Sequence, residues 1–331
     1  MEEFKKRYLR NSRMLTDMIP IAIVWSFLIM ALGTMITSWV YRLFGLPEVD
    51  MTRPDDFPGF TYMTLAYLQF IGLWVAFGLA MVIPKANRPM LKDILPNRRG
   101  NSLRGIAFGI LAGFACNAVC IALSIALGDV GISFAEFNIL NMLVLYVAVL
   151  IQSGAEEITD RLFLYEKLRR RYKSPWVAII VNSLVFMAMH LPNPGITAVS
   201  CAQIFVVGVL FSLFVYYFDS LWVAIFFHTT WNYTQNIIFG CPNSGNVSAY
   251  SMFRLDAAAS GPFFDPVFGV EGSVGAVLIL IALTVAVFAY ANKKHLQTQD
   301  IWAEFDVPRD AAPSAGPMDS EGAPKPRHFA E

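Results

Sequence analysis

The chain has 331 residues, of which 56% are hydrophobic and 15% charged, and its formal net charge at pH 7 is zero. Soluble domains usually carry about 25% charged residues, so the composition argues against a soluble domain and is typical of a polytopic membrane protein. The neutral balance, without a Gly-rich phosphate loop or a basic patch, predicts no nucleic-acid partner.

Eight apolar segments follow one another along the chain, and a membrane helix needs about 20 largely apolar residues. The predicted spans are Ile19–Val40, Phe60–Ile83, Gly105–Leu127, Ile139 to about Leu168, Pro175–Leu191, Ile196–Phe218, Leu221–Phe239 and Val274–Ala291. The fourth span is too long for one perpendicular crossing, because about 30 helical residues reach about 45 Å across a hydrocarbon core of about 30 Å. It must tilt, protrude or break. The predicted fold class is all-α, a polytopic integral membrane protein with about eight transmembrane helices.

Basic residues indicate how these spans are oriented. Of the 25 Lys and Arg residues, 22 lie in the N-terminal segment, in loops 85–104 and 161–173, and in the C-terminal tail. Because cytoplasmic loops carry an excess of Lys and Arg, both termini are predicted to be cytoplasmic, with the plasma membrane as the location. The first apolar segment is longer than the core of a signal peptide and is interpreted as a retained anchor.

These features divide the chain into three parts. Residues 1–18 are predicted to be a cytoplasmic N-terminal segment and residues 19–292 an eight-helix membrane domain. Residues 293–331 are rich in Pro, Ala and charge and are predicted to be a disordered cytoplasmic tail. The four cysteines include no CxxC pair, so we interpret them as small core residues and predict no disulfide framework.

Within the fourth span, the stretch QSGAEEITDRLFLY places four charges in six residues. An ionisable group at membrane depth costs at least ~2.5–3.5 kcal/mol and usually faces an interior or a wet cavity. Glu157 and Arg161 are four residues apart on one helical face and are expected to pair. Glu156 points elsewhere, towards Gln152 and Asp160, an environment suited to general-base chemistry. The spacing therefore gives Glu157 and Arg161 a supporting role and Glu156 a catalytic one, unless the charges only mark the cytoplasmic end of the span.

Two later spans also carry polar groups. His190 follows FMAM near the end of one span, and His228 and Asn232 share a helical face in HTTWN. Each group taken alone also fits a buried core residue or an interhelical hydrogen bond. At 1.5 Å per residue, Glu156, His190, His228 and Asn232 lie roughly 12 to 22 Å from the cytoplasmic ends of their spans. Three helices that place polar groups in one layer predict a single polar site.

The three motifs EEITDR, FMAMH and HTTWN match EExxxR, FxxxH and HxxxN. In this order, on adjacent spans between Asn138 and Phe239, they resemble the CAAX protease and bacteriocin-processing (CPBP, formerly Abi) family of intramembrane glutamic endopeptidases. The aromatic-Arg-Gly common in that family after the glutamate pair is absent, and Asp160-Arg161-Leu162 stands in its place. No residue of the three motifs is lost.

The resemblance implies a peptidase in which Glu156 activates water, His190 holds that water, and His228 with Asn232 stabilises the oxyanion. It implies supporting roles for Glu157 and Arg161. The expected substrate is a hydrophobic or membrane-tethered peptide or protein, with membrane lipid as the surroundings. No cofactor is required, although Glu156 or Glu157 with His190 and His228 also forms a candidate zinc-ligand set.

Two other function classes remain open at this stage. A non-catalytic membrane scaffold or regulator would keep the protease fold without its chemistry. A proton-coupled carrier would use intramembrane Glu and His as a relay, although the sequence lacks the repeat symmetry typical of carriers.

Overall fold

The computed structural model of the chain describes residues 9–10, 14–50, 53–97, 100–296 and 300–303. Most of the predicted N-terminal segment and of the predicted disordered tail lies outside these described residues. The α-helices are α1 Ile19–Phe44, α2 Gly59–Leu68, α3 Ile71–Val82, α4 Leu103–Leu127, α5 Ile139–Glu157, α6 Tyr165–Arg171, α7 Pro175–Met189, α8 Ala198–Phe218, α9 Leu221–Asn232 and α10 Val274–Lys293. The strands are β1 Val130–Phe134 and β2 Phe253–Ala258.

Irregular helical turns join or extend these elements. π-Helical segments continue α5 over Ile158–Leu164 and α9 over Tyr233–Ile238. Short 3₁₀ helices occupy Leu15–Asp17, Pro54–Asp56, Lys85–Ile94 and Val270–Gly272.

Six helical stretches of the described chain are long and apolar enough to cross a membrane. They are Ile19–Phe44, Gly59–Val82, Leu103–Leu127, Ile139–Arg171, Ala198–Phe218 and Val274–Lys293. The other two predicted spans are also helical but less regular, since α7 has 15 residues and α9 passes into a π helix. The predicted all-α polytopic membrane fold is therefore confirmed, with six helices that qualify by length and hydropathy and two shorter ones.

The helix ends follow from local sequence chemistry. The side chains of Ser102, Asn138, Ser220 and Ser273 accept hydrogen bonds from backbone N–H groups of the first turns of α4, α5, α9 and α10. Such caps satisfy donors that a helix N-terminus leaves unpaired. α4 ends at Gly128, which has a positive φ of 82° that glycine adopts without strain.

The interior of the bundle is built on close helix contacts. α4 packs along α9, α1 along α3, α8 against both α7 and α10, and α5 against α9 and α2. Gly109 and Gly113 of α4 face the backbone of Val223 and Phe227 in α9, so this pair approaches more closely than larger residues would permit. This contact fixes the position of α9, which carries His228.

The strands form a small antiparallel sheet that the hydropathy pattern does not predict. β1 and β2 pair Val130 with Ala258 and Phe134 with Phe253, with an irregularity between Gly131 and Ile132. β2 lies in the long segment between α9 and α10, so the sheet ties that segment to the end of α4.

At the other end of the molecule, basic residues of α6 are held by a buried acid, Asp17, and a partly exposed one, Asp300. Asp17 forms ion pairs with Lys167 at 2.9 Å and with Arg170 at 2.6 Å. Asp300 binds Arg169 at 2.7 Å and also pairs with Arg10. Burial raises the pKa of Asp300, but the hydrogen bond from Arg10 and the charge of Arg169 outweigh it and hold that pKa below its ordinary value.

Candidate active site

Three helices bring the predicted site residues to one place. α5 ends at Glu157 and supplies Gln152, Glu156 and Glu157 from its last turns. α7 ends at Met189, two residues before the predicted end, and His190 is its C-terminal cap. The Pro-Asn-Pro-Gly that follows prevents the helix from continuing, since proline clashes with the preceding turn and lacks an N–H group. α9 supplies His228 and Asn232 from one face.

Glu157 is fully buried at the centre of an ion-pair network. Its Oε1 accepts a hydrogen bond from Arg161 Nη1 at 3.3 Å, and its Oε2 lies 3.3 Å from Arg161 Nε. Arg161 is also fully buried, and its guanidinium lies over the rings of Phe186 and Phe211 at 4.1 and 5.4 Å. The predicted neighbours are therefore in contact, with the arginine sandwiched by aromatic rings.

His228 receives its orientation from the same carboxylate. Its Nδ1 lies 2.9 Å from Glu157 Oε1, and a carboxylate only accepts hydrogen bonds, so Nδ1 carries a hydrogen. The opposite nitrogen, Nε2, then faces Glu156 Oε2 at 3.7 Å. This distance is longer than a direct hydrogen bond.

Glu156 is the more accessible acid of the pair. Its side chain is 15% exposed, against 0% for Glu157. Its Oε1 accepts a hydrogen bond from Gln152 Nε2 at 2.5 Å, and its Oε2 has no hydrogen-bond partner among the described residues. One oxygen is thus held in place and the other is available for chemistry.

Asn232 and His190 are both held by hydrogen bonds to neighbouring groups. Asn232 Nδ2 donates to Gln152 Oε1 at 3.2 Å, so Gln152 links it to Glu156. His190 Nδ1 lies 2.8 Å from the carbonyl oxygen of Phe186. Because a carbonyl oxygen only accepts, Nδ1 donates, and Nε2 of the neutral ring is left as an acceptor.

A cavity of about 260 Å³ lies between these helices. Glu156, His190, His228 and Asn232 all line it, together with Gln152, Asn193, Asn236 and Asn243. The apolar part of the lining comes from Met30 of α1, Met63 of α2, Leu73 of α3 and Phe70 in the break between α2 and α3. The arrangement places a carboxylate, two imidazoles and a carboxamide beside an apolar surface, which suits hydrolysis of a bond in an apolar chain.

The comparisons with known proteins fall on this same part of the chain. Residues 138–234 match a family model described as type II CAAX prenyl endopeptidase, Rce1-like. The central segment, under a third of the chain, is thus similar to this Rce1-like family. It contains all six of the predicted site residues, and the family supports a CAAX-protease type of membrane fold for this protein.

A curated relative is similar over part of the chain. It is an uncharacterized protein, YyaK, of Bacillus subtilis (strain 168), and it is 29% identical over 127 residues, which are 37% of this chain and 40% of the relative. The chain thus matches less than half of that relative's length. No solved structure matches the chain at a significant level.

The site also includes residues that lie beyond the Rce1-like segment and that sequence reasoning did not find. Glu271, in the 3₁₀ turn before α10, is buried and accepts hydrogen bonds from Trp231, Asn243 and Ser244. Burial raises the pKa of Glu271 above its ordinary value, while the bonds from Ser244 and the nearby His190 act in the opposite direction. The one available signal was a lone acid in the apolar stretch FGVEGSVGAVL.

The predicted zinc-ligand set consists of His190, His228 and one of the two adjacent glutamates. Among the described residues, no three His, Cys, Asp or Glu side chains form a group suited to hold a metal ion. His228 Nδ1 is bonded to Glu157 and His190 Nδ1 to a backbone carbonyl, which leaves Nε2 of each ring as a possible ligand. The misfit with a zinc site therefore rests on the spacing of the described side chains, and no step of the proposed chemistry uses a metal.

Proposed function

We propose that this protein is an intramembrane endopeptidase that hydrolyses a peptide bond in a hydrophobic or membrane-tethered substrate, using water activated by Glu156. The observation that supports it most is the shared cavity. Glu156, His190, His228 and Asn232 come from three helices and line one space, and they lie within the Rce1-like segment. Side chains that served only interhelical packing would not need to face a common cavity.

Each residue has a role that its contacts support. Glu156 has one oxygen held by Gln152 and one without a partner, as a general base needs if it is to take a proton from water. His190 presents Nε2 as an acceptor that can hold the same water. His228, when both ring nitrogens carry hydrogen, and Asn232, through Nδ2, donate to the oxygen that becomes negative in the tetrahedral intermediate. Glu157 and Arg161 fix the position of His228.

The surroundings of the cavity support a hydrophobic class of substrate. The apolar wall formed by Met30, Met63, Phe70 and Leu73 favours apolar side chains next to the cleaved bond. A site between membrane-spanning helices is reached by a peptide that already lies in or at the bilayer. We propose a plasma-membrane location with cytoplasmic termini, which the distribution of Lys and Arg supports.

The function is tested with purified protein in liposomes and a quenched-fluorescent library of short apolar peptides. The Glu156→Gln variant is expected to lower the cleavage rate at least about 100-fold, because an amide cannot take the proton. Glu48→Gln, which changes an exposed acid far from the cavity, is the matched control and should cleave at the wild-type rate. Peptide profiling of membranes from cells with wild-type or Glu156→Gln protein would identify the natural substrate.

Two further outcomes separate the other function classes. Equal cleavage by wild type and Glu156→Gln contradicts the protease proposal and supports a scaffold, whereas proton-coupled uptake into the liposomes supports a carrier. Full activity after metal removal with a chelator is the expected result, and activity that returns only with added zinc contradicts the metal-free mechanism.

A further inference from the structure

A chain of hydrogen bonds runs from Glu271 through the site to Glu156. Asn243 Nδ2 donates to Glu271 Oε1 and to Asn232 Oδ1, both at 3.2 Å. Asn232 Nδ2 donates to Gln152 Oε1 at 3.2 Å, and Gln152 Nε2 donates to Glu156 Oε1 at 2.5 Å. Three carboxamides therefore connect two carboxylates, and each amide has its NH₂ and C=O ends assigned.

The contacts of Glu271 identify it as the group that sets this direction. Its two oxygens face only donors in these contacts: Trp231 Nε1 and Asn243 Nδ2 on Oε1, and Ser244 N and Oγ on Oε2. A carboxylate is an acceptor with no hydrogen to give, so Asn243 must turn its NH₂ group towards it. The same NH₂ group also donates a hydrogen bond to Oδ1 of Asn232.

The consequence reaches the reacting atoms. With Oδ1 held by Asn243, Asn232 keeps its NH₂ group on the side of Gln152, where one N–H bonds Gln152 and the other is left for a substrate oxygen in the cavity. An asparagine rotated by half a turn would present a carbonyl oxygen instead, which repels a developing oxyanion. The orientation of Asn232 therefore decides whether it stabilises or opposes the transition state.

We propose that Glu271 and Asn243 are positioning residues of the peptidase: they lock the Asn232 carboxamide with its N–H groups towards the substrate carbonyl. The inference rests on the proposed function of the site. It extends the functional machinery beyond the Rce1-like segment, since both residues follow residue 234. It also gives the segment between α9 and α10 a part in catalysis.

Two substitutions of Glu271 distinguish positioning from general support of the fold. Glu271→Met removes both acceptor oxygens at similar size, so Asn243 and then Asn232 lose their fixed orientation. We expect the maximal rate on the apolar peptide library in liposomes to fall about 30- to 100-fold, with KM within about twofold. Glu271→Gln keeps the one acceptor oxygen that faces Trp231 and Asn243. Ser244 Oγ can turn to accept from the new NH₂ group, and only the backbone N–H of Ser244 loses its acceptor, so this variant should retain activity within about fivefold.

A double-substitution cycle tests the route of the effect. Once Asn232→Ala has removed the carboxamide, Glu271→Met has nothing left to orient and should lower the rate less than about threefold further. If Glu271→Met does not fold, Asn243→Asp takes its place in the same cycle. An acid at 243 accepts from Asn232 and so reverses it, and the expected loss is again about 30- to 100-fold. Ser248→Ala, which removes bonds of the same loop to backbone carbonyls, is the control and should act like wild type.

The outcomes separate the two levels of the proposal. A Glu271→Met or Asn243→Asp variant that cleaves like wild type, or that loses the same factor with and without Asn232, overturns the positioning role while leaving the protease function in place. A wild-type protein that cleaves no faster than Glu156→Gln overturns the protease function and the inference with it.

Discussion

At the scale of single residues, the site depends on two adjacent glutamates with different surroundings. Glu157 is enclosed by Arg161 and His228, whereas Glu156 faces the cavity with one oxygen bonded to Gln152. A buried ion pair contributes little net stability compared with an apolar pair, but the removal of one partner leaves an uncompensated charge. Glu157 is therefore expected to matter for folding as well as for the orientation of His228.

The Glu157→Gln substitution should lower the free energy of unfolding by about 3 kcal/mol, because Arg161 loses its charge partner in the interior. The measurement is a denaturation curve in detergent micelles. Glu48→Gln breaks an exposed pair with Arg42 and should change stability by less than about 0.5 kcal/mol. A Glu157→Gln protein as stable as wild type would show that the ion pair does not compensate Arg161.

Part of this site follows from the sequence alone. The i, i+4 spacing of Glu157 and Arg161 predicts a pair, and the two side chains lie 3.3 Å apart. The contacts of Glu271 with Trp231 and Asn243 do not follow from spacing, because these residues are 28 to 40 positions apart and meet only through the folded loop. Local periodicity describes neighbours on one helix, whereas contacts between elements depend on tertiary packing.

At the scale of elements, the α4–α9 contact sets the position of His228. A Cβ atom on Gly113 would lie 2.4 Å from the backbone carbonyl oxygen of Phe227, the residue before His228. Backbone atoms cannot turn aside as a side-chain end can, so the two helices would have to separate. The glycine is required by this close approach and not by its own backbone conformation.

The Gly113→Ala substitution is expected to lower stability by about 1–3 kcal/mol through overpacking and to slow cleavage about 100-fold through displacement of His228. Gly78→Ala is the matched control, since a Cβ on Gly78 of α3 would meet no atom within 4 Å. Alanine is the better helix former, so Gly78→Ala should keep full activity and equal or slightly higher stability. Thermal unfolding measures the stability of the two variants, and the peptide assay measures their cleavage rate. Equal loss in the two variants would contradict the role of the α4–α9 contact.

Hydropathy predicts the apolar helices better than it predicts the breaks within them and the strands between them. Each of the eight predicted spans coincides with a helix, since about 20 apolar residues form a helix in a bilayer for lack of any other backbone partner. The break between α2 and α3 and the β1–β2 pair were not predicted. The sheet joins residues more than 100 positions apart, so its register depends on how α4 and α9 pack and not on a local turn.

At the scale of the whole molecule, the first and last residues that the structure describes meet at one place. Asp300 pairs with Arg10 and Arg169, and the indole of Trp302 donates to Glu166 Oε2 at 2.6 Å. Trp302 is 1% exposed. Asp300 and Trp302 of the tail are thus anchored on α6, which continues the helix that carries Glu156.

The Asp300→Asn substitution should release this anchor. The pKa of Asp300 is lowered in the folded protein, so its contribution to stability is fully present above the unfolded pKa of about 4 and is lost as the pH falls through the lower folded value. The protection factors of the backbone amides around residues 300–303, which are exchange rates divided by the intrinsic rate at each pH, should therefore be constant from about pH 5 to 8 in wild type, because both values lie above the pKa of Asp300 in either state. They should be lower in Asp300→Asn.

Asp256→Asn is the control for this prediction, because Asp256 is an exposed acid on β2 paired with Arg254. The protection of the backbone amides around residues 300–303 against hydrogen exchange should be the same in Asp256→Asn as in wild type. Unchanged exchange in Asp300→Asn would show that Trp302 alone anchors the tail.

The π-helical segment over Ile158–Leu164 has a consequence for anyone who designs variants of this protein. A π turn holds more residues than an α turn, so the angular phase of the side chains slips by roughly one residue position across it. A helical wheel drawn through Glu157 and extended beyond Leu164 would assign Glu166, Lys167 and Arg170 to the wrong sides. The wheel must be restarted at Tyr165, and a grafting scheme that treats Ile139–Arg171 as one uniform rod would mutate a surface turned by roughly 100° from the one intended.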